Sequence, residues 1–285
     1  MGDRFTIRET DLFDAVISVI NTRRPYSSDG PTIDDCENLK KIIACNCSKK
    51  TKETVVDFML KFGKSYKKDF PELIEDLWKS ELNHTDRKRR DHVCHSFRVW
   101  SLGLWLYQNG LKEYFDKIPH NSDRFYFVWY LTAFYHDVGY VKNNALHGGD
   151  SAQLLLKHLN KVFSGKWTPD AIHAIVAICL HDQSGYPIDI QKDPYSALLI
   201  ISDELQEWGR NIKGRDPKAE IDQLVFCLNF TPTTPTIGIR LCYPRNLNVG
   251  IGNLDDEIHQ KEGKLNDKFH DRIKNLEIHV ECKAY

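Results

Sequence analysis

The sequence predicts a mainly α-helical protein whose C-terminal part changes to a small α+β addition. Before about residue 216, apolar residues recur at helical spacing, and several segments are apolar on every side, as buried helices are. After that point, short β-branched and aromatic runs between turn residues are typical of strands. The predicted division is an N-terminal helical region over 1–84, a helical core over 85–215 and the α+β addition over 216–285.

Composition places the chain among ordinary globular proteins. Of its 285 residues, 41% are hydrophobic and 28% are charged, which is enough to build a sizeable core. Lys and Arg number 39 against 40 Asp and Glu, so a net charge of -1 predicts neither a nucleic-acid partner nor an anionic membrane surface. No apolar run reaches the roughly 20 residues of a transmembrane helix, and no signal peptide is recognisable.

The cysteines predict a reducing, cytoplasmic environment. Eight of them lie scattered along the chain rather than as a disulfide framework. Only Cys36, Cys45 and Cys47 are close together in sequence. Because no second Cys pair or paired histidines accompany them, free thiols are favoured there over a zinc site. Nothing in the sequence indicates an oligomeric state.

The N-terminal region, residues 4–83, is predicted to be helical. Three successive segments place their apolar residues on one helix face, and a further helix begins at Pro71. Residues 21–31 are polar, with Pro and Gly, and predict a loop. The basic run 86–91 is interpreted as a solvated face, with a phosphate-binding arginine as the alternative.

The first core helices carry histidines. One helix is predicted from about Asp91 to Gln108, where His92 and His95 share a side. The next, Arg124–Val138, is apolar on every side, yet it ends in His136 and Asp137.

A carboxylate buried at that position is unfavourable unless a positive group meets it. The sequence offers no obvious Arg or Lys partner nearby, whereas a divalent metal would hold the imidazole of His136 and the carboxylate of Asp137 together. The alternative is a histidine and a capping aspartate at an ordinary helix end.

Three further helices complete the predicted core. Asp150 or Ser151 is expected to cap a helix that follows His147, and residues 170–182 form an apolar helix with His181 at its C-terminal end. In the last helix, Asp193 is the expected cap and Pro194 takes the first position.

That last helix also carries a charge among apolar residues. Asp203 follows a run of buried aliphatic residues, and Arg210 lies seven residues further on nearly the same face. An internal ion pair between these two residues is therefore the alternative to a metal ligand at Asp203.

The α+β addition is predicted to contain three strands and one long helix. The strands are 224–228, 236–241 and 276–280. The helix is amphipathic, with its apolar face formed by Leu254, Ile258, Leu265, Phe269 and Ile273.

The core segments together resemble the HD superfamily of metal-dependent phosphohydrolases. The resemblance covers Asp91–Arg210 and rests on motifs in order: HSFRV, FYHDVGY, HGGDSA, the His of LHD, and SDELQEWGR. The last motif is similar to that of the diadenosine tetraphosphate hydrolases, in which an Arg follows the aspartate by about two turns.

The resemblance implies a helical HD-domain core around two divalent transition-metal ions. Mixed imidazole and carboxylate ligands favour Mn, Fe, Co, Ni or Zn over Mg. Asp137 is expected to bridge the ions, and His92 to occupy a supporting or surface position. The implied ligands are His95, His136, Asp137, His147, His181 and Asp203.

The implied function is hydrolysis of a phosphoester or phosphoanhydride bond in a nucleotide or dinucleotide. Asp137 and Arg210 are the expected catalytic residues, with Arg210 binding a substrate phosphate. No Glu-Asp pair follows His136 and Asp137, which disfavours an alarmone substrate. Two alternatives stay open: an HD-type mixed-valent di-iron oxygenase, and a catalytically silent nucleotide sensor or interaction module.

Overall fold

A computed structural model describes most of the core and parts of both flanking regions. The described residues are 4–7, 9–22, 31, 39, 49–64, 92–118, 121–141, 147–162, 170–206, 225–231, 236–243 and 254–284. The predicted helix at Pro71, the basic run 86–91, the cluster of Cys36, Cys45 and Cys47, and Arg210 lie outside these residues.

Helices make up most of the described chain, which confirms the predicted mainly α fold. A π-helical turn over Tyr107–Leu111 precedes the fourth helix, and a 3-10 turn over Val138–Val141 follows the fifth. In chain order the helices are α1 (Glu9–Thr22), α2 (Lys49–Lys64), α3 (His92–Leu106), α4 (Lys112–Asp116), α5 (Asn121–Tyr135), α6 (His147–Val162), α7 (Asp170–Leu180), α8 (Pro194–Leu205) and α9 (Leu254–Arg272).

The strands form two sheets, and the larger contains the three predicted C-terminal strands. The strands are β1 (Arg4–Ile7), β2 (Ile188–Asp189), β3 (Val225–Thr231), β4 (Thr236–Tyr243), β5 (Ile273–Lys274) and β6 (Glu277–Ala284). The larger sheet has the order β1-β3-β4-β6, and β2 pairs with β5 in the smaller. Strands β4 and β6 are parallel, and α9 connects them and packs on β6.

Strand β1 corrects the prediction that residues 4–83 are helical. It pairs antiparallel with β3, with Arg4 opposite Asn229 and Ile7 opposite Phe226. A segment of four residues is too short to show a reliable helix or strand period. Its conformation depends on hydrogen bonds to a distant strand, which the local sequence does not encode.

The core is built around α3, which packs against α5 and α8. Every residue of α3 is buried. Gly103 leaves room for the indole of Trp129 on α5, whose Nε1–H donates to the carbonyl of Trp100 at 2.9 Å. Among the described helices, none is long and apolar enough to cross a membrane.

The two helix starts predicted from capping residues have different outcomes. The Asp193 carboxylate accepts from the Ser196 amide at 3.2 Å and Pro194 begins α8, as predicted. The predicted cap at Asp150 or Ser151 is wrong, because α6 already begins at His147. Ser151 instead accepts a 2.7 Å hydrogen bond from the Gly139 amide, which ties the turn after α5 to α6.

The described cysteines differ in whether they are paired. Cys94 on α3 is disulfide-bonded, whereas Cys179 and Cys282 are free. Pairing depends on the approach of two sulfur atoms in the folded chain, and sequence spacing does not show it.

We expect Gly103→Ala to destabilise the fold. A Cβ at this position would lie 2.0 Å from the Trp129 ring, which is held by its own hydrogen bond. Overpacking of this kind lowers the free energy of unfolding by about 1–3 kcal/mol. The matched control is Gly263→Ala on α9, where a Cβ meets nothing within 4 Å and the better helix propensity stabilises by up to about 1 kcal/mol. Urea denaturation compares the two, and equal stabilities would contradict the packing argument.

Candidate metal centre

The first group of candidate ligands lies where α3, α5 and α8 meet. His95 comes from α3, His136 and Asp137 from the turn after α5, and Asp203 from α8. The Nε2 atom of His95 lies 3.2 Å from Nε2 of His136 and 2.9 Å from Oδ1 of Asp203. Oδ2 of Asp137 lies 3.6 Å from the His95 nitrogen and 3.4 Å from the His136 nitrogen. Four side chains therefore direct donor atoms to one place.

A second group lies on the other side of the same carboxylate. His147 begins α6 and His181 follows α7, and their Nε2 atoms are 3.0 Å apart. Oδ1 of Asp137 lies 3.5 Å from the His147 nitrogen and 3.7 Å from the His181 nitrogen. The two oxygens of Asp137 thus face different histidine groups, and each group could hold a metal ion.

The outer nitrogens of three of these rings, His95, His136 and His181, are held by hydrogen bonds that fix the tautomer. Nδ1–H of His136 donates to the Ala133 carbonyl at 2.8 Å, and Nδ1–H of His181 donates to the Ile178 carbonyl at 2.7 Å. Nδ1 of His95 lies 2.5 Å from Oε1 of Gln206. With their protons on Nδ1, these rings direct Nε2 lone pairs inward, as metal ligands do.

The short distance between the Nε2 atoms of His95 and His136 indicates that a metal ion fits between these rings. The Nε2 atoms of His95 and His136 carry lone pairs that face each other across 3.2 Å, so no proton is available to join them. Facing lone pairs and the buried carboxylate of Asp137, with the partly buried Asp203 beside it, are unfavourable by themselves, and a cation between them relieves both effects. The donor set, imidazole with carboxylate, suits a divalent transition metal.

Asp182 lies directly behind the second group, and sequence reasoning did not assign it. Its Oδ2 lies 3.5 Å from Nδ1 of His147 and accepts from the Gly148 amide at 3.0 Å. A carboxylate behind a histidine fixes the ring orientation and raises its basicity as a ligand. The sequence feature that could have indicated Asp182 is its position directly after His181.

His92 contacts the Asp137 carboxylate from the side, and Tyr140 stacks on His92. His92 is buried and its Nδ1 lies 3.2 Å from Oδ2 of Asp137, so of its two predicted positions the supporting one is observed. The ring of Tyr140 stacks on His92, with centroids 4.8 Å apart, and on His147, with centroids 3.9 Å apart. The Tyr140 ring thus lies between His92, which contacts Asp137, and His147 of the second group.

Burial and charge shift the pKa values of His136 and His181 in opposite directions. Burial lowers the pKa of His136, and the nearby carboxylates only partly oppose this. Burial also lowers the pKa of His181, but the hydrogen bond and charge of Asp137, with the charge of Asp203, more than offset it, so that pKa is raised. In the absence of a cation, a proton therefore competes more strongly for the second group than for His136.

All six predicted ligands meet at this centre, whereas Arg210 lies outside the described residues. Comparison with models of known protein families, with curated proteins and with solved structures finds no match for this chain. The resemblance to the HD superfamily therefore rests on the residues themselves.

Gly148→Ala is expected to weaken metal binding by the Asp137, His147 and His181 group. A Cβ at Gly148 would lie 2.7 Å from both Oδ1 of Asp182 and the Ile178 carbonyl, so the start of α6 must move away from α7. Loss of such orientation costs about 10–100-fold in metal affinity. The neighbouring Gly149→Ala is the control, because a Cβ there meets nothing within 4 Å. Metal titration of both variants measures the difference, and equal affinities would show that this contact does not position His147.

Proposed function

We propose that this protein is a metal-dependent phosphohydrolase of the HD type, acting on a phosphoester or phosphoanhydride bond in a nucleotide or dinucleotide. The observation that carries the proposal is the Asp137 carboxylate, 2% exposed, whose two oxygens face separate histidine groups. A shared carboxylate between two sets of neutral nitrogen donors is the arrangement that two cations need.

Two divalent ions are proposed, and the donor sets divide between them. His95, His136 and Asp203 would hold one ion with Asp137, and His147 and His181 would hold the other with the same carboxylate. Neutral imidazoles with two carboxylates favour Mn, Fe, Co, Ni or Zn over Mg. When bound, such ions lower the pKa of water and neutralise charge on phosphoryl oxygens.

The chain's own residues supply orientation and charge. His92 contacts the oxygen of Asp137 that faces the first group, so it restrains rotation of the bridging carboxylate. Gln206 holds His95 at its outer nitrogen, and the Asp182 carboxylate lies 3.5 Å from the outer nitrogen of His147. Arg210 is proposed to bind a substrate phosphate through charge-assisted hydrogen bonds.

The proposal is tested by metal analysis of the purified protein together with a hydrolysis screen. Nucleotides and dinucleotides are incubated with the metal-free protein after addition of each candidate ion. Metal-dependent release of phosphate or of a mononucleotide is the expected result. Oxygen consumption by a reduced iron form would favour the di-iron oxygenase, and tight nucleotide binding without turnover would favour a silent sensor.

Asp203→Asn is expected to abolish hydrolysis and to lower metal affinity by at least about tenfold, while helix content stays the same. Asp203 contributes a carboxylate oxygen 2.9 Å from the His95 nitrogen, and an amide is a weaker and uncharged ligand. His181→Ala is the companion variant, because it should remove only the second ion. Metal counting and circular dichroism check both variants. Full metal content and turnover in Asp203→Asn would assign that residue to an ion pair.

Lowering the pH is expected to release the ion of the second group first. The raised pKa of His181 means that this imidazole becomes protonated at a higher pH than His136, whose pKa is lowered. A protonated imidazole cannot ligate, so affinity at the second group falls as the pH drops through the His181 pKa, while the first group still binds. Metal content after equilibration at a series of pH values measures this order. Simultaneous release of both ions, or release of the first ion before the second, would contradict it.

A further inference from the structure

Helix α9 of the C-terminal addition contacts the main chain beside the second ligand group through Arg272. The Arg272 side chain is 2% exposed and donates from three nitrogens to three backbone carbonyls. Nη2 donates to Leu180 at 2.8 Å, Nε to Tyr186 at 3.1 Å and Nη1 to His181 at 3.4 Å. All three carbonyls belong to the end of α7 and the segment that follows it.

The chemistry of the guanidinium group explains why this contact restricts movement of the main chain. At the end of a helix the last carbonyls lack intrahelical partners, and a cation there also complements the helix dipole. A planar guanidinium with donors in a fixed fork holds several carbonyls at once, whereas a lysine ammonium acts as a point charge. Arg272 therefore fixes the backbone of residues 180–186 relative to α9.

That segment contains the supports of the second ligand group. His181 is itself a candidate ligand, and Asp182, the next residue, contacts both the His147 ring and the Gly148 amide. A shift of the backbone at residues 180–182 would move both histidines of the group. His95 and His136 are held by other contacts, to Gln206 and to the Ala133 carbonyl.

Neighbouring contacts anchor α9 in place. Strand β5 directly follows Arg272 and pairs in parallel with β2, and the Ile190 amide donates to the Lys274 carbonyl at 3.2 Å. Asn275 Nδ2 donates to Oδ1 of Asp189 at 2.8 Å. One turn before Arg272, Lys268 forms an ion pair with Glu204, the residue after Asp203. The same end of α9 thus contacts the segments that carry a ligand of each group.

We propose that Arg272 is a positioning residue for the second metal ion, which makes the C-terminal addition a structural part of the centre. This inference rests on the proposed two-ion function. Arg272 does not touch the candidate ligand atoms. It acts through the main chain of His181 and Asp182.

The test compares Arg272→Gln and Arg272→Lys with Arg240→Gln in the full chain. Arg240 lies in β4 of the same addition and its Nε pairs with Glu281 at 2.6 Å, so its loss removes a charge without touching residues 180–186. Co²⁺ is titrated into each metal-free protein. Arg272→Gln should lower the affinity for the second ion by about 10–100-fold and leave the affinity for the first within about twofold. This is a weaker effect of the same kind as that expected for His181→Ala. Arg272→Lys should be intermediate, and Arg240→Gln should match the wild type.

A second readout does not need metal. Hydrogen exchange in the metal-free Arg272→Gln protein should become faster over residues 178–186 and stay unchanged in α3 and α5. Unchanged affinity for both ions in Arg272→Gln would overturn the inference and leave the proposed function intact. Equal weakening of both ions, with faster exchange throughout, would assign Arg272 to general stability and would also overturn it. A wild-type protein that binds a single ion would refute the two-ion function itself, together with the inference.

Discussion

The buried Asp137 carboxylate is the constraint on which the rest of the centre depends. It lies in a helical core with four candidate-ligand imidazoles around it, at separations of 3.4–3.7 Å from their inner nitrogens. An isolated charge in that position is strongly unfavourable. A cation held between the carboxylate and the surrounding nitrogens would offset this cost, and α3, α6, the turn after α5 and the end of α7 supply those nitrogens.

The surrounding residues show how the arrangement is kept in order. The Nδ1–H groups of His136 and His181 donate to the carbonyl three residues earlier in the chain. These two hydrogen bonds therefore need no partner from another element. His95 instead depends on a side chain of another element, Gln206, and His147 has the Asp182 carboxylate 3.5 Å from its outer nitrogen. The centre thus combines local restraints, which form with each helix, and restraints that exist only when the helices have packed.

This difference also explains how much the sequence could predict. The His136 and Asp137 pair and Asp203 are recognisable because a charge inside an apolar helix is a local signal, and the predicted helices of the core are observed. Asp182 and Gln206 were not assigned, since each acts on a histidine from another helix. The strand at Arg4–Ile7 was missed for the same reason, because its conformation depends on hydrogen bonds to β3.

The pairing of β1 with β3 also has a consequence for the order in which the chain acquires its structure. Arg4 meets Asn229, so this edge of the sheet closes a loop that contains the whole helical core. The entropy of closing so long a loop is lost before any strand contact is gained, and contacts between distant residues form slowly. During synthesis, residues 4–7 are exposed long before their partner strand exists. The helical segments are therefore synthesised before the sheet that joins the two flanking regions can close.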